Sequence, residues 1–240
     1  MIENNQTVRF YNDESSVYSD KRYNGSTNTY VQFFFQQRRK IVLNLLKDIL
    51  KDKKDLSLID IGCADGVLTG DIDDLFPGKF RKMVGTDISP GMIEVAKKKY
   101  QNKRYLSFYV KDECPVEKFD IALGLGYVSA EIYESEVEYL SKRLISGGYY
   151  LLTFTSNSSI YSRFKLRDKP YFKNYRTYGE YENMLRKYFV ILNKKPNGFF
   201  VPKLWQFPVI GRLLQPVFNF VFSFITPNLF HETIYVVKLK

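Results

Sequence analysis

The residues best suited to chemistry in this sequence are acids and glycines at the ends of two short apolar runs. The first run leads into Asp60-Ile61-Gly62-Cys63-Ala64-Asp65-Gly66, which precedes a helix-like stretch. Glycines let the backbone approach a ligand closely, and a helix N-terminus offers free amide groups. The second run ends at Asp87, where an acid can accept hydrogen bonds from ribose hydroxyls, and Ser89-Pro90 then supply a helix start. The pattern predicts a nucleoside site.

Short β-prone runs that alternate with helical stretches must position these residues. Helices are predicted over Gln32–Lys51, Pro90–Lys99 and Ala130–Leu144. This alternation indicates a mainly parallel sheet with right-handed crossovers. The predicted strands are Ser57–Ile61, Lys82–Thr86, Leu106–Val110, Phe119–Leu125, Tyr149–Thr155, Phe189–Leu192 and Thr233–Leu239.

Residues 55–155 resemble the class I S-adenosylmethionine-dependent methyltransferases. The family motif acid-x-Gly-x-Gly-x-Gly is matched from Asp60 to Gly66, with Ala64 in place of the middle glycine. Asp87 matches the ribose-binding acid, and Ser146-Gly147-Gly148 resembles the turn before the fifth strand. The resemblance implies an α/β fold with a doubly wound, seven-stranded, mostly parallel Rossmann-like sheet. It also implies S-adenosylmethionine as cofactor, S-adenosylhomocysteine as product, and no metal.

The same resemblance assigns roles at the cofactor site. Asp60 would position the ammonium group of the donor, Gly62 and Gly66 would border its methionine part, and Asp112 would lie near the adenine amine. The predicted cofactor-binding residues are Tyr11, Tyr18, Asp60, Gly62, Cys63, Ala64, Gly66, Asp87, Ile88, Met92, Asp112 and Gly124. A nicotinamide dehydrogenase would prefer Gly-x-Gly-x-x-Gly, which is absent here.

Tyr11 and Tyr18 belong to residues 10–20, which resemble the paired-tyrosine arm of quinone-modifying and amino-sugar-modifying methyltransferases. In those enzymes the arm folds over the cofactor. An arm that simply packs on the sheet is the alternative.

Four segments are predicted along the chain. They are an N-terminal arm and helix (1–54), the cofactor-binding α/β core (55–195), an apolar insertion that forms a C-terminal cap (196–232), and the last core strand (233–240). Residues 213–230 carry no charge, but Pro216 and Pro227 interrupt them, which predicts against one membrane-spanning helix. In the family topology the insertion emerges at the ligand-binding edge. It would be either a lid over the acceptor or a surface that dips into one membrane leaflet.

The formal charge of +10 and the aromatic content of 17% suggest an anionic partner. Residues 161–178 interleave cations with aromatic residues, which fits an anionic lipid surface or a phosphate on the acceptor; a solvated basic loop is the alternative. Enzymes that methylate nucleic-acid bases commonly carry Asn or Asp, Pro and an aromatic residue at the end of the fourth strand. Residues 122–128 lack that pattern, which disfavours nucleic acid.

The sequence offers few candidate residues for binding or activating the methyl acceptor. His231 is the only histidine and is the candidate base for a hydroxyl acceptor, with a structural or surface histidine as the alternative. The candidate substrate-binding residues are Tyr127, Arg163, Lys165 and Trp205.

The sequence therefore predicts a methyltransferase for a small amphipathic or lipid-linked acceptor, with action at a membrane surface as one version. One alternative is methylation of a water-soluble sugar nucleotide. The other is a non-catalytic cofactor-binding protein whose apolar cap is an oligomer interface. Two cysteines and a polar start without a signal-like run predict a cytoplasmic protein, on the inner face of a membrane in the peripheral version.

Overall fold

The computed structural model describes residues 2–23, 27–126, 133–166 and 176–240. Helices alternate with strands through the middle of the chain, as the periodicity predicts. The helices are α1 (Ile2–Glu14), α2 (Tyr18–Arg22), α3 (Tyr30–Leu50), α4 (Val67–Leu75), α5 (Pro90–Lys99), α6 (Tyr133–Lys142), α7 (Tyr178–Tyr188) and α8 (Pro208–Ile225). The strands are β1 (Leu56–Ile61), β2 (Phe80–Asp87), β3 (Leu106–Val110), β4 (Phe119–Gly124), β5 (Leu144–Thr155), β6 (Phe189–Asn197) and β7 (Glu232–Leu239).

The strands form one sheet in the order β3-β2-β1-β4-β5-β7-β6. Strands β1 to β5 are parallel, whereas β7 runs antiparallel between β5 and β6. β6 is therefore parallel to β1, and the segment after it leaves from the carboxyl edge of the parallel strands. The predicted doubly wound, seven-stranded sheet is confirmed.

Both faces of the sheet are buried. Adjacent residues of β1, Leu58 and Ile59, enter different hydrophobic clusters, one on each face. Val42 and Leu46 of α3 cover one face, and Tyr181 of α7 stacks on Phe154 over the other, with ring centroids 4.1 Å apart. Burial on both sides explains the nearly continuous apolar runs in the sequence of the central strands.

Strand β5 begins earlier than predicted. Phe119 pairs with Leu144 and Ile121 pairs with Tyr149, so the predicted Ser146-Gly147-Gly148 turn is an irregularity inside the strand. Gly147 has a φ of 73° there, which favours glycine. Helix α6 ends before the predicted Leu144 because that residue already belongs to β5. Residues 130–132, where α6 is predicted to begin, lie outside the described residues.

The apolar insertion contains one continuous helix, and the prediction that Pro216 interrupts it is wrong. Helix α8 runs through Pro216, which is exposed. A proline removes one helical hydrogen bond, here to the carbonyl of Arg212. Because Arg212 and Pro216 both lie on the exposed side, water can bind that carbonyl. Pro227 follows the helix and opens a short 3₁₀ turn.

Candidate cofactor and acceptor site

The turn between β1 and α4 has an unusual backbone. Gly62 and Gly66 both have φ of 75°, and Ala64 has φ of 50°. A left-handed conformation costs a non-glycine residue about 1–2 kcal/mol. The Ala64 amide donates to Oδ2 of Asp87 over 3.0 Å, and this charge-assisted bond helps to hold the turn in that conformation.

Asp87 lies at the end of β2 and connects the two segments that the sequence singles out. Besides Ala64, its carboxylate accepts a hydrogen bond from the Ser89 amide at 2.9 Å. Ser89 in turn caps α5 by accepting from the Met92 amide at 3.1 Å. Burial raises the pKa of Asp87, and the backbone amides that donate to it oppose the shift. A carboxylate has about four lone-pair positions, so Asp87 retains capacity to accept a hydroxyl donor.

Two further carboxylates are buried beside this turn. Oδ2 of Asp60 accepts from the Thr69 hydroxyl at 2.7 Å. Burial raises the Asp60 pKa to about 6, with Thr69 opposing and Asp87 adding to the shift. Asp65 accepts from the Ser19 hydroxyl through Oδ2, and no donor among the described residues reaches its buried Oδ1. Three acids in one buried region fit a ligand that carries positive charge, such as the sulfonium and ammonium groups of the predicted cofactor.

The N-terminal arm lies over this turn. Oδ1 of Asn12 accepts from the Ser89 hydroxyl at 2.6 Å and from the Gly91 amide at 3.0 Å. The arm is therefore bonded to both the first turn, through Ser19, and the start of α5. The structure thus places the predicted arm against the predicted cofactor site.

The tyrosines of the arm are largely withdrawn from water. Burial raises the pKa of Tyr11, with Arg22 lowering it and Asp87 raising it, and burial raises that of Tyr18 well above its ordinary value. The guanidinium of Arg22 lies 4.0 Å from the Tyr18 ring centroid. Both hydroxyls therefore stay protonated and can donate.

The remaining predicted cofactor residues differ in their placement. Gly124 ends β4, paired with Ile61, at the centre of the carboxyl edge. Asp112 is exposed in the 3₁₀ turn after β3, two residues beyond the partner of Asp87. Ile88 is partly exposed beside Asp87, whereas Met92 is fully buried in α5. The side chain of Cys63 packs in the core beneath the sheet, so only its backbone can line the site.

A buried ion pair lies at the same edge of the sheet. Arg38 of α3 donates to both carboxylate oxygens of Glu232, at 2.8 and 2.6 Å. Asn197, at the end of β6, donates to the same carboxylate at 2.8 Å. The pair connects α3 to β6 and β7 and borders Gly126, where a Cβ would lie 3.0 Å from the guanidinium. Removal of one partner from such a pair typically costs about 3–5 kcal/mol.

His231 is held in an aromatic cluster beside this pair. Its ring stacks between Phe34 and Tyr161, with centroid separations of 4.2 and 3.9 Å. Burial, with repulsion from Arg38, lowers the His231 pKa to about 3. Its Nδ1 is buried, and no described donor reaches it. The imidazole is therefore neutral at pH 7 and a weak proton acceptor.

The predicted substrate residues do not form one group. Tyr127 lies outside the described residues, as do residues 167–175 of the basic stretch. Arg163 is exposed in the short π-helix Ser162–Leu166. Lys165 belongs to the same helix, and its side chain is not described. Trp205 packs on Phe33 and donates to Gln215, so it fixes the cap onto α3.

Several residues of the site were not predicted from the sequence. Asn12 and Ser19 lie beside the predicted arm tyrosines and were missed because their partners are remote in sequence. Arg38 and Glu232 are 194 positions apart, and nothing local indicates their pairing. Among the described residues, no group of three His, Cys, Asp or Glu side chains could hold a metal ion.

Residues 58–148 match a family model described as a methyltransferase domain. Over 97 residues the chain is 35% identical to the uncharacterized methyltransferase C70.08c of Schizosaccharomyces pombe. That match covers 38% of this chain and 35% of the relative, so the chain spans about a third of the curated relative.

Two solved structures have the same fold over nearly their whole length. Magnesium protoporphyrin IX methyltransferase (ChlM) from Synechocystis PCC 6803, with bound S-adenosylhomocysteine, aligns with a TM-score of 0.69 at 14% identity, and 99% of each chain is covered. A geranyl diphosphate methyltransferase in complex with GPP and sinefungin aligns with a TM-score of 0.68 at 14% identity, and 98% of each chain is covered. These likenesses confirm the predicted class I methyltransferase fold.

The raised pKa of Asp60 predicts pH-dependent cofactor binding. A cation bound beside Asp60 favours its ionised form, so the affinity should be full above about pH 6 and fall below it, by up to about tenfold per pH unit. Titration calorimetry of S-adenosylhomocysteine between about pH 5 and pH 8 measures this dependence.

The matched control is Asp60→Asn, which keeps the shape of the side chain and the partner of Thr69. This variant should bind more weakly at pH 8 and lose the acid-side decline. An affinity for the intact protein that does not change with pH would show that Asp60 does not face the cationic part of the ligand.

Proposed function

We propose that this chain, whose core has the class I methyltransferase fold, transfers a methyl group from S-adenosylmethionine to a small amphipathic or lipid-linked acceptor. The observation that carries the proposal is the hydrogen bond from Ala64 to Asp87, which joins the strained first turn to the end of β2. Both segments carry residues that the family motifs place against the methyl donor, S-adenosylmethionine. The buried Asp60 and Asp65 fit its positive charges.

When bound, S-adenosylmethionine supplies a methyl group on a positively charged sulfur. The protein must then align the acceptor and keep water away. Asp87 is suited to hold the ribose hydroxyls, and Asp60 to hold the ammonium group. The arm supports exclusion of water because Asn12 and Ser19 bond directly to the two donor-binding segments.

The acceptor would lie at the carboxyl edge of the sheet, where β4 and β6 end and β7 begins. There the aromatic cluster of Tyr30, Phe34, Tyr161 and Phe200 surrounds His231. Tyr30, Phe34 and Phe200 are buried and Tyr161 is partly exposed, so the cluster offers an apolar wall that suits an acceptor with a large apolar part. The two structural neighbours described above act, by their names, on magnesium protoporphyrin IX and geranyl diphosphate, which both combine an apolar body with charged groups.

The proposal includes a location, the cytoplasm and its membrane surface. Both cysteines are buried thiols, in keeping with a reducing compartment such as the cytoplasm. The exposed apolar side of α8 supports action at a membrane surface. A transfer assay separates the two alternatives. If the acceptor is a water-soluble sugar nucleotide, the labelled methyl group appears in water-soluble material. If the protein binds the cofactor without turnover, no label is transferred.

Asp87→Ala should abolish measurable binding of S-adenosylmethionine and S-adenosylhomocysteine, because the ribose hydroxyls and the Ala64 amide lose their acceptor together. Asp87→Asn, which retains one side-chain oxygen, should bind both ligands with an affinity at least about tenfold lower than that of the intact chain. Calorimetry on the folded variants measures both affinities.

The control is Asp48→Ala, because Asp48 is an exposed carboxylate near the end of α3 and has no assigned role at the site. Micromolar binding by the intact protein, followed by transfer of labelled methyl into organic-extractable material, is the expected result. Absence of binding to the intact protein would contradict the proposal.

We also propose that His231 assists as a neutral hydrogen-bond acceptor for the nucleophile of the substrate. Its Nδ1, which no donor among the described residues reaches, supports this role, and its low pKa argues against full proton removal at neutral pH. His231→Phe keeps the ring stack and removes Nδ1. This variant should lower kcat by about ten- to a hundredfold with cofactor affinity unchanged.

Steady-state transfer assays on His231→Phe and the intact enzyme measure this effect. The intact enzyme should show no fall in kcat attributable to His231 between about pH 5 and pH 8, because the group is neutral throughout. An unchanged kcat in the variant would leave His231 with a packing role only.

A further inference from the structure

Helix α8 turns its two amide side chains, Gln215 and Asn219, toward the protein and leaves most of its apolar side chains exposed. Its inward stripe consists of Gly211, Gln215, Phe218, Asn219 and Phe222, which are buried or partly buried. A surface helix of a globular protein normally shows the reverse arrangement. The orientation of α8 therefore requires an explanation from its surroundings.

Specific contacts fix this orientation. Nε2 of Gln215 donates to the Phe199 carbonyl at 2.5 Å, and the Phe199 amide donates to Oδ1 of Asn219 at 2.9 Å. The Trp205 indole donates to Oε1 of Gln215 at 3.0 Å. Phe222 stacks on Phe199 at a centroid distance of 4.2 Å. The amide side is thus built to face the core, and the apolar side is left outside.

The outward side is large and continuous along the helix. Leu213 is 68% exposed, Phe220 69% and Phe224 75%. Contiguous apolar patches of this kind on a monomer mark a contact with another apolar body. The other exposed apolar residues of this side are Val209, Ile210, Leu214, Val217, Val221 and Ile225.

The charge around α8 favours an anionic partner. Residues 196–231 contain no Asp or Glu, and their only two Lys or Arg residues are Lys203 and Arg212. Lys203 and Arg212 are exposed next to or on the helix. A two-fold contact between copies places the same surface opposite itself. This stretch offers no carboxylate to pair with those cations across such a contact, so a phospholipid surface fits better than a second copy.

Helix α8 is long and apolar enough to cross a membrane by length and composition alone. Its 18 residues span about 27 Å, close to a hydrocarbon core of about 30 Å. However, its inward stripe is bonded to Phe199 and Trp205 along the helix. A helix with one side attached to the protein can lie in the plane of a bilayer but cannot be surrounded by lipid.

We propose that α8 lies in the plane of an anionic phospholipid leaflet, with its outward side at the acyl boundary and Lys203 and Arg212 at the headgroups. Two contacts connect α8 to the aromatic cluster. Phe222 of α8 stacks on Phe199, and the neighbouring Gly198 carbonyl accepts from the Tyr30 hydroxyl of the cluster. This inference deepens the membrane-surface part of the proposed function and rests on it for the link to catalysis. Docking would deliver an acceptor from the leaflet to the aromatic cluster.

The test is cosedimentation of the full chain with vesicles of phosphatidylcholine containing about a quarter phosphatidylglycerol. The intact protein should bind, and added salt should weaken the binding. Leu213→Gln combined with Phe220→Gln should lower the partition coefficient more than about tenfold. Lys203→Gln combined with Arg212→Gln should lower it on anionic vesicles by about fivefold per cation removed.

The matched control is Val116→Gln, since Val116 is 90% exposed but distant in sequence from α8. It should bind vesicles like the intact protein. All variants are compared for S-adenosylhomocysteine affinity, which should not change because none touches the donor site. This keeps loss of folding separate from loss of lipid contact.

Absence of vesicle binding, or equal binding by the Leu213/Phe220 variant, would overturn the proposal. It would also be overturned if ultracentrifugation showed a dimer that this variant converts to monomers, because the occupant would then be a second copy. Vesicle binding without S-adenosylhomocysteine binding would preserve the lipid contact and contradict the proposed function. S-adenosylhomocysteine binding without vesicle binding would preserve the proposed function and contradict the lipid contact.

Discussion

The hydrogen bond between the Ala64 amide and the Asp87 carboxylate is the contact on which the rest of the site depends. Ala64 occupies a left-handed conformation in a turn that otherwise uses glycine. Asp87 reaches it because β1 and β2 are parallel neighbours whose carboxyl ends lie side by side. The fold therefore supplies the position, and the bond supplies part of the energy that keeps an alanine in that position.

The same edge of the sheet brings together segments from the whole chain. The arm contributes Asn12 and Ser19 on the side proposed for the methyl donor, whereas Arg38 and Glu232 join α3 to the last strand on the side proposed for the acceptor. His231 precedes Glu232 directly, so the buried ion pair also fixes the backbone that carries the imidazole. The proposed methyl-donor and acceptor sides thus share one set of strand ends. A displacement of α3 would alter the acceptor side and the cap together.

Local patterns predicted most of the fold. The strands and α5 follow from runs of apolar residues and from Ser89-Pro90, because their signals lie within a few residues of one another. The early start of β5 was missed because Ser146-Gly147-Gly148 has the composition of a turn but sits in an irregular strand. The continuity of α8 was missed because Pro216 is exposed there, and propensity alone overstates its effect.

The site was less predictable than the fold. Asp60, Gly62 and Asp87 were found because a single turn and a single strand end place them together. Arg38 and Glu232 could not be found, since their pairing depends on packing between the two ends of the chain. The inverted orientation of α8 was also hidden, because composition reports how apolar a helix is and not which side faces inward.

Hydrogen exchange of the backbone amides, with and without S-adenosylhomocysteine, tests most directly the claim that the arm, the first turn and the end of β2 form one cofactor site. The ligand should slow exchange at residues 62–66 and 87–92, and in the arm at residues 12–19. Protection confined to other regions, or no change in these three segments when the ligand is saturating, would contradict the assignment of the site.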